Sequence, residues 1–122
     1  QLAECTGIFY SLGLPLSFNI SVFVKYHFII LTEAAIDICN HISAKLFKRA
    51  ADSYSQCFSI LVENNIISNS LGNRLSNFAK FRNLLIHLYW KVDDSLVVNK
   101  LNELNIFDEF FEKIVQLSKE KR

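Results

Sequence analysis

The chain has 122 residues, a length that suits one compact domain and is too short for two. Hydrophobic residues make up 51% of the chain and charged residues 20%, which excludes a disordered protein. Three glycines and one proline are too few for the many tight turns of a β-sandwich or barrel. The net charge of +1 provides no global attraction for nucleic acid, so any polyanion site must be local or assembled from several copies.

The cysteines and the uncharged N-terminal stretch bear on the compartment. Cys5, Cys39 and Cys57 are an odd number without a Cys-x-x-Cys pair, which predicts reduced thiols, with Cys39 and Cys57 as small buried side chains. Residues 5–24 carry no charge, but the turn-forming residues within them and the lack of a basic n-region disfavour a membrane span and a signal peptide. We therefore expect a cytoplasmic protein without membrane association, and a start at Gln1 rather than Met is compatible with a missing N-terminal segment.

Apolar periodicity predicts helices along the whole chain. The first predicted helix runs to about Leu12 and is followed by a loop at 13–19, a long helix from about Ser21 to Ala44 and a connection at 45–51. A short helix follows, capped by Asp52 or Ser53 and ended by Asn64 and Asn65. The last two predicted helices run from Ser68 to about Trp90 and, after Asp93 and Asp94, from Ser95 to near the C-terminus. Ser53 and Gln56 have the spacing of a capping box. The long helix is apolar nearly all round in its first half, which predicts burial by its own bundle and by another copy. We expect an all-α, antiparallel up-and-down helical bundle with four main helices and a short one.

No arrangement of potential ligands predicts a metal site. A di-iron bundle needs Glu-x-x-His on two helices, and no Glu in this chain has a His three residues later. Asp37 and His41 share a helix face, but two neighbouring ligands do not complete a site. A glycine-rich phosphate loop and a nucleophile elbow are also absent from the sequence, which excludes the usual nucleotide-binding and hydrolase folds. We expect neither metal nor cofactor.

The segment 81–94, which reads Phe-Arg-Asn-Leu-Leu-Ile-His-Leu-Tyr-Trp-Lys-Val-Asp-Asp, combines groups that suit a phosphodiester. On a helix Asn83 and His87 share one stripe, and the long side chain of Arg82 can fold across from the neighbouring stripe. Arginine binds phosphate with a planar fork, and histidine moves protons near neutral pH. An Arg-x4-His pair arises by chance in roughly one such sequence in ten, and a lone surface histidine is the plainer interpretation. The neighbouring Asn, the following His-x-Tyr and the final Asp-Asp strengthen the signal.

These residues resemble a known family. Arg-x4-His with a polar residue after the Arg is similar to the motif of HEPN-domain ribonucleases, and the run 82–89 resembles the HepT branch. The resemblance extends over 33–42, 53–58 and 81–94, whereas residues 1–24 fit loosely and Ile29 replaces a residue that is usually polar in the family. It implies one HEPN-type, HepT-like domain over residues 1–122.

The resemblance implies a function with defined residue roles. HepT proteins are toxins paired with a minimal nucleotidyltransferase antitoxin, and they are metal-independent endoribonucleases of RNA such as tRNA or mRNA. The RNA 2′-hydroxyl attacks the adjacent phosphate and leaves a cyclic phosphate and a 5′-hydroxyl. Arg82 would stabilise the phosphorane, His87 would act as general base or acid, and Asn83 would orient the phosphate or the imidazole. Tyr89 would be the hydroxyl to which the antitoxin attaches AMP, which silences the toxin.

The family resemblance also implies a symmetric homodimer whose two motifs face one cleft. Glu33, Asp37 and His41 lie on a polar face of the long predicted helix. They either satisfy one another inside the bundle or line the same cleft. A dimer would double the number of Arg and His side chains in the cleft and supply the local positive field that one chain lacks.

Two alternatives to a ribonuclease remain open on the sequence. A non-catalytic HEPN module would bind nucleotides or its partner without cutting RNA. A purely structural bundle would require Arg82 and His87 to point away from each other.

Overall fold

The structure, a computed structural model, describes residues 18–88 and 91–120, with side chains from residue 21 onward. Over those ranges the chain forms five helices and no strand: α1 Phe18–Phe47, α2 Tyr54–Glu63, α3 Asn69–His87, α4 Asp94–Leu101 and α5 Asn105–Glu120. The predicted all-α helical fold is confirmed. The helix predicted to end at Leu12, Cys5 and residues 13–17 of the loop predicted at 13–19 lie outside the described residues. The loop prediction is wrong at residues 18 and 19, which already belong to α1.

The longest helix, α1, packs antiparallel against α3. The Phe28 ring on α1 meets Phe81 edge-on with ring centroids 5.3 Å apart, and it stacks on Phe78 at 5.8 Å. The N-terminal half of α1 therefore lies beside the C-terminal half of α3. Neither α1 nor any other helix in the described ranges has the length and apolar content to cross a membrane.

The starts of α2 and α3 are set by serine caps, as the sequence predicts. Ser53 Oγ accepts the N–H of Gln56 at 3.2 Å, so Ser53 rather than Asp52 is the cap of α2. In a regular capping box the Gln56 side chain would accept the N–H of the cap residue, Ser53. Here it accepts the N–H of Asp52, the residue before the cap. Ser68 Oγ accepts the N–H of Leu71 at 3.1 Å and caps α3 in the same way.

The helix predicted from Ser95 to the C-terminus is wrong in one respect, because the structure divides it into α4 and α5. Asp93 caps α4 by accepting the N–H of Leu96 at 2.9 Å, and the chain then turns at 102–104. In an unbroken helix Ile106 would lie about 140° around from Leu101. Both side chains are buried, so the break rotates α5 until its apolar face meets the core.

The prediction of reduced thiols is wrong for Cys39 and Cys57. Cys39 on α1 and Cys57 on α2 are fully buried, as predicted, but they are joined in a disulfide rather than held as reduced thiols. Their Cα atoms lie 6.1 Å apart, within the range that a disulfide needs. Sequence spacing carries no sign of this pair, because the packing of α1 against α2 brings the two residues together.

Candidate functional site

The candidate site lies at the C-terminal end of α3. The helix ends at His87, three residues before the predicted end at Trp90. The N–H of Leu88 bonds to the carbonyl of Leu84 at 2.8 Å, and the N–H of Lys91 bonds to that of Leu88 at 2.8 Å. Leu88 is thus bonded both to α3 and to Lys91. Tyr89, the predicted AMP acceptor, lies outside the described residues.

Arg82 and Asn83 are bound to each other. The guanidinium donates to Asn83 Oδ1 from Nη2 at 2.8 Å and from Nε at 3.3 Å. A guanidinium only donates, so the amide oxygen must face it and the amide NH2 is left to donate elsewhere. Both side chains are half-buried, which leaves the rest of the fork and the amide open to a ligand. Asn83 therefore orients Arg82, a role that the sequence did not predict.

His87 lies one helical turn after Asn83 on the same stripe and is exposed. Because Asn83 holds the guanidinium, Arg82 is drawn across its own stripe towards that of His87. The structure thus shows the Arg82–Asn83 contact, and convergence of Arg82 with His87 stays a prediction. Across the described ranges no hydrogen bond or ion pair engages the His87 ring.

Apolar side chains lie on both sides of the site: some are buried beneath it, and others are exposed beside it. Phe81 and Leu85 are buried and anchor the last turns of α3 in the core. Ile86 and Leu88 flank His87 and are exposed at 47% and 36%. The helix end thus presents a cation, an amide and an imidazole beside uncovered apolar surface.

Two residues of α1 contact the chain just beyond the site, and sequence reasoning missed both. Lys25 Nζ donates to the carbonyl oxygen of Val92 at 3.1 Å, and Ser21 Oγ donates to Asp94 Oδ1 at 3.3 Å. Lys25 is buried. A lone lysine inside an apolar stretch of helix was the available signal, since a buried ammonium needs a partner.

Glu33, Asp37 and His41 all lie exposed on the outer surface of α1. The interpretation that they satisfy one another inside the bundle is therefore wrong. His41 borders a groove of about 280 Å³ between α1 and α5. It lies about 24 Å along α1 from Lys25, at 1.5 Å per residue, so one protomer does not bring it to His87. Glu33 and Asp37 lie between these two points.

The charged and polar groups of the candidate site are the side chains of Arg82, Asn83 and His87. Searched over residues 18–88 and 91–120, the structure has no group of three His, Cys, Asp or Glu side chains that could hold a metal ion. Arg82 supplies a fixed positive charge, Asn83 a neutral donor and His87 a group that can accept or donate a proton. This set can bind a phosphate and move a proton next to it.

Comparison with known sequences identifies the family. Residues 17–114 match the family model described as Ribonuclease HepT-like. The mRNA nuclease HepT of Shewanella oneidensis is 31% identical over 83 residues, which cover 67% of this chain and 62% of that protein. The chain thus spans about three fifths of the length of this curated relative.

Solved structures agree with the assignment. A tri-AMPylated HEPN toxin from Shewanella oneidensis in complex with MNT antitoxin matches with a TM-score of 0.77 and 27% identity, over 82% of this chain and 76% of that one. A toxin–antitoxin structure with AMP-PNP matches at 0.76 and 27%, over 80% and 76%. A mutant of the toxin–antitoxin MntA–HpeT matches in fold at 0.80 and 24%, over 95% and 86%. The chain belongs to the HepT-like ribonuclease family.

Proposed function

We propose that the protein is a metal-independent endoribonuclease and the toxin of a toxin–antitoxin pair, with residues 1–122 as a single HepT-like domain. The observation that carries the proposal is the Arg82–Asn83 contact on the stripe of His87, at an exposed helix end. The similar mRNA nuclease and the similar toxin–antitoxin complexes support it. RNA is the substrate, a nucleotidyltransferase antitoxin is the partner, and the cytoplasm is the compartment in which both meet.

The proposed chemistry uses the three side chains in sequence. The outward N–H groups of Arg82 and the NH2 of Asn83 bind the non-bridging oxygens of one RNA phosphate. His87 removes the proton of the neighbouring 2′-hydroxyl, whose oxygen then attacks phosphorus. Arg82 stabilises the additional charge of the phosphorane. The bond between phosphorus and the 5′-oxygen then breaks as a protonated His87 of the second copy donates its proton to that oxygen, which leaves a 2′,3′-cyclic phosphate and a 5′-hydroxyl.

A homodimer supports this chemistry, because one imidazole cannot be base and acid in the same step. The end of the molecule that carries the site also exposes apolar side chains of α1, among them Phe23 at 53% and Tyr26 at 57%, besides Ile86 and Leu88. Such a patch favours association with a second copy. In the dimer, two copies of the site share one cleft. Light scattering at micromolar concentration should give twice the chain mass, and a monomer would count against the proposal.

Glu33 and Asp37 fit the same dimer. They follow Val22 and Tyr26 by 11 residues, which is close to three helical turns, so all four lie on one face of α1. If the apolar part of this face meets a second copy, the carboxylates line the continuation of the cleft. We place His41 at its far end.

The antitoxin is proposed to act by attaching AMP to Tyr89, two residues after His87. An added phosphate would compete with RNA for Arg82, and the adenosine would fill the cleft. Mass spectrometry after co-expression with the cognate nucleotidyltransferase should map the added AMP to Tyr89. The Tyr89→Phe protein should lack it. An unmodified but inactive toxin would show that inhibition proceeds by binding alone.

The decisive experiment is cleavage by the partner-free protein. Purified protein is incubated with total tRNA and with mRNA, in EDTA and in Mg²⁺, and the fragment ends are analysed. We expect fragments with cyclic phosphate ends and the same rate in both buffers. If no RNA is cut while the protein still binds its antitoxin, the function is that of a non-catalytic HEPN module. Loss of cleavage in EDTA would contradict the metal-independent mechanism.

A further inference from the structure

The buried lysine of α1 is costly and calls for an explanation. Lys25 is 6% exposed and is the only buried charged side chain in the part of the chain that the structure describes. Desolvation of an ammonium is penalised by several kcal/mol unless hydrogen bonds compensate. A methionine would fill similar space without that penalty. The ammonium therefore supplies something that packing alone does not.

What it supplies is a directional bond to the chain that follows the site. Lys25 Nζ donates to the carbonyl oxygen of Val92 at 3.1 Å, five residues after His87. Ser21, one turn earlier on the same face of α1, donates to Asp94 Oδ1 at 3.3 Å. Asp93, between these two contacts, caps α4. Two side chains of α1 thus hold the segment 92–94 at two points.

The path from Val92 back to His87 is short. Leu88 remains bonded to Leu84 of α3, and Lys91 is bonded to Leu88, both at 2.8 Å. A displacement of Val92 is therefore passed to the last turn of α3 instead of being absorbed by a long loop. Misplacement of a catalytic group by about 1 Å can lower a rate by about a hundredfold.

We propose that Lys25 is a positioning residue: its ammonium fixes the chain at 91–94, the turn into α4, and through it sets the placement of His87. The activity part of this inference rests on the proposed ribonuclease function. The placement of the turn does not, and it can be measured separately.

The chain contains a built-in reporter of this turn. Trp90 is the single tryptophan in the sequence and lies between His87 and Val92. Its fluorescence and its quenching by acrylamide therefore come from a residue next to the turn into α4.

The test compares three full-length variants with the wild type. Lys25→Met removes the ammonium and keeps the length of the side chain, and Lys25→Arg keeps a cationic donor. Lys45→Met is the matched control, an exposed lysine at the other end of α1. For each protein we measure thermal unfolding, kcat and KM for RNA, and quenching of Trp90.

We expect Lys25→Met to lower kcat by about tenfold to a hundredfold with KM within about twofold, and to make Trp90 easier to quench. Lys25→Arg should recover at least part of both signals, and Lys45→Met should match the wild type. If Lys25→Met lowers the melting temperature but leaves kcat and the Trp90 signal unchanged below the transition, the lysine is structural and the proposal is wrong.

Two further outcomes are also informative. If Lys25→Met does not fold, Ser21→Ala removes the neighbouring contact and should give the same changes in kcat and Trp90 quenching at smaller size; their absence would overturn the proposal. If the wild type cuts no RNA, the ribonuclease proposal fails, while Trp90 quenching in Lys25→Met still decides whether the lysine holds the turn.

Discussion

The two ends of the bundle are held together by different chemistry. At one end α1 begins and α3 finishes, and polar contacts from Ser21 and Lys25 secure the turn beyond the exposed His87. At the other end α1 finishes and α2 leads into α3, and the buried side-chain contacts there are mainly apolar, together with the Cys39–Cys57 disulfide, while the ion pair of Arg49 with Glu63 at 2.7 Å lies exposed on its surface. We call these the site end and the dry end. The division places exposed and half-buried polar groups at one end, and the disulfide and the closest helix approach at the other.

The dry end depends on close approach of its helices. Gly72 on α3 is buried, and a Cβ atom at this position would lie 2.7 Å from Cγ2 of Val62 on α2. No side chain fits in that space without movement of Val62. Phe58 on α2 meets Phe110 on α5 edge-on, with ring centroids 6.3 Å apart. α2 therefore packs closely on α3 and reaches α5 through Phe58.

The largest effect that should separate the two ends is loss of cleavage at the site end. We expect Arg82→Ala and His87→Ala each to lower kcat for RNA by about a thousandfold, because one removes the phosphorane's charge partner and the other the proton-transfer group. The melting temperature should stay within a few degrees, since His87 is exposed and Arg82 only half-buried. Single-turnover cleavage and thermal unfolding measure the two quantities.

Asn83 provides the matched control for this experiment. Asn83→Ala removes the partner that orients the guanidinium of Arg82. Asn83→Asp also places a carboxylate against it, and this negative charge offsets the positive charge that the phosphate needs, so Asn83→Asp should reduce cleavage more than Asn83→Ala. Full activity of the His87→Ala protein would contradict the mechanism.

A second prediction, at the dry end, is the reverse: a substitution there should lower stability and leave cleavage unchanged. Phe58→Ala should lower the free energy of unfolding by about 3–5 kcal/mol, as expected for a phenylalanine removed from a packed core. Phe58 is 1% exposed, and its ring pairs with Phe110 of α5. The protein that remains folded at low temperature should cut RNA at the wild-type rate. Chemical denaturation and cleavage at 10–15 °C test this, and a selective loss of kcat in folded protein would show that the two ends are coupled.

A third prediction concerns the disulfide of the dry end. Cys39 and Cys57 are 18 residues apart, and closing a loop of about that size stabilises a protein by about 3 kcal/mol. Reduction should therefore lower the melting temperature by several degrees. Cleavage at low temperature should be unaffected.

Thiol labelling supplies the control for the disulfide. In denatured protein that has not been reduced, one cysteine, Cys5, should react with a maleimide, and after reduction all three should react. Three reactive thiols in protein purified without reductant would show that the pair does not form in solution.

The same two ends explain how far the sequence could be interpreted. Helix starts at Ser53, Ser68 and Asp93 were predictable because a cap and its first turn are local in sequence. The Cys39–Cys57 pair and the break at 102–104 were not, because both depend on how helices meet in space. Apolar periodicity shows which face of a helix is buried. It does not show that α5 must be rotated relative to α4 for its apolar face to meet the core.

The candidate site divides in the same way. Arg82, Asn83 and His87 were found because one helix carries all three within six residues. That Asn83 binds Arg82 depends on side-chain conformation, which spacing does not determine. Lys25 was missed because its partner, the carbonyl of Val92, lies 67 residues away and belongs to the backbone, which has no sequence signature.

The smallest expected effect tests whether the ends are independent down to single hydrogen bonds. Ser68 caps α3 at the dry end by accepting the N–H of Leu71 at 3.1 Å. Ser68→Ala should lower the free energy of unfolding by about 1 kcal/mol, the usual effect of losing a serine cap. Because fraying is confined to the first turn, amide hydrogen exchange should rise at 69–72 and not at 84–88, and kcat should be unchanged. Ser70→Ala, an exposed serine in the same turn that caps nothing, is the control and should leave all three measurements at the wild-type values. Faster exchange near His87 in Ser68→Ala would mean that α3 frays as one unit, so that the stability of the dry end and the geometry of the site could not be varied separately.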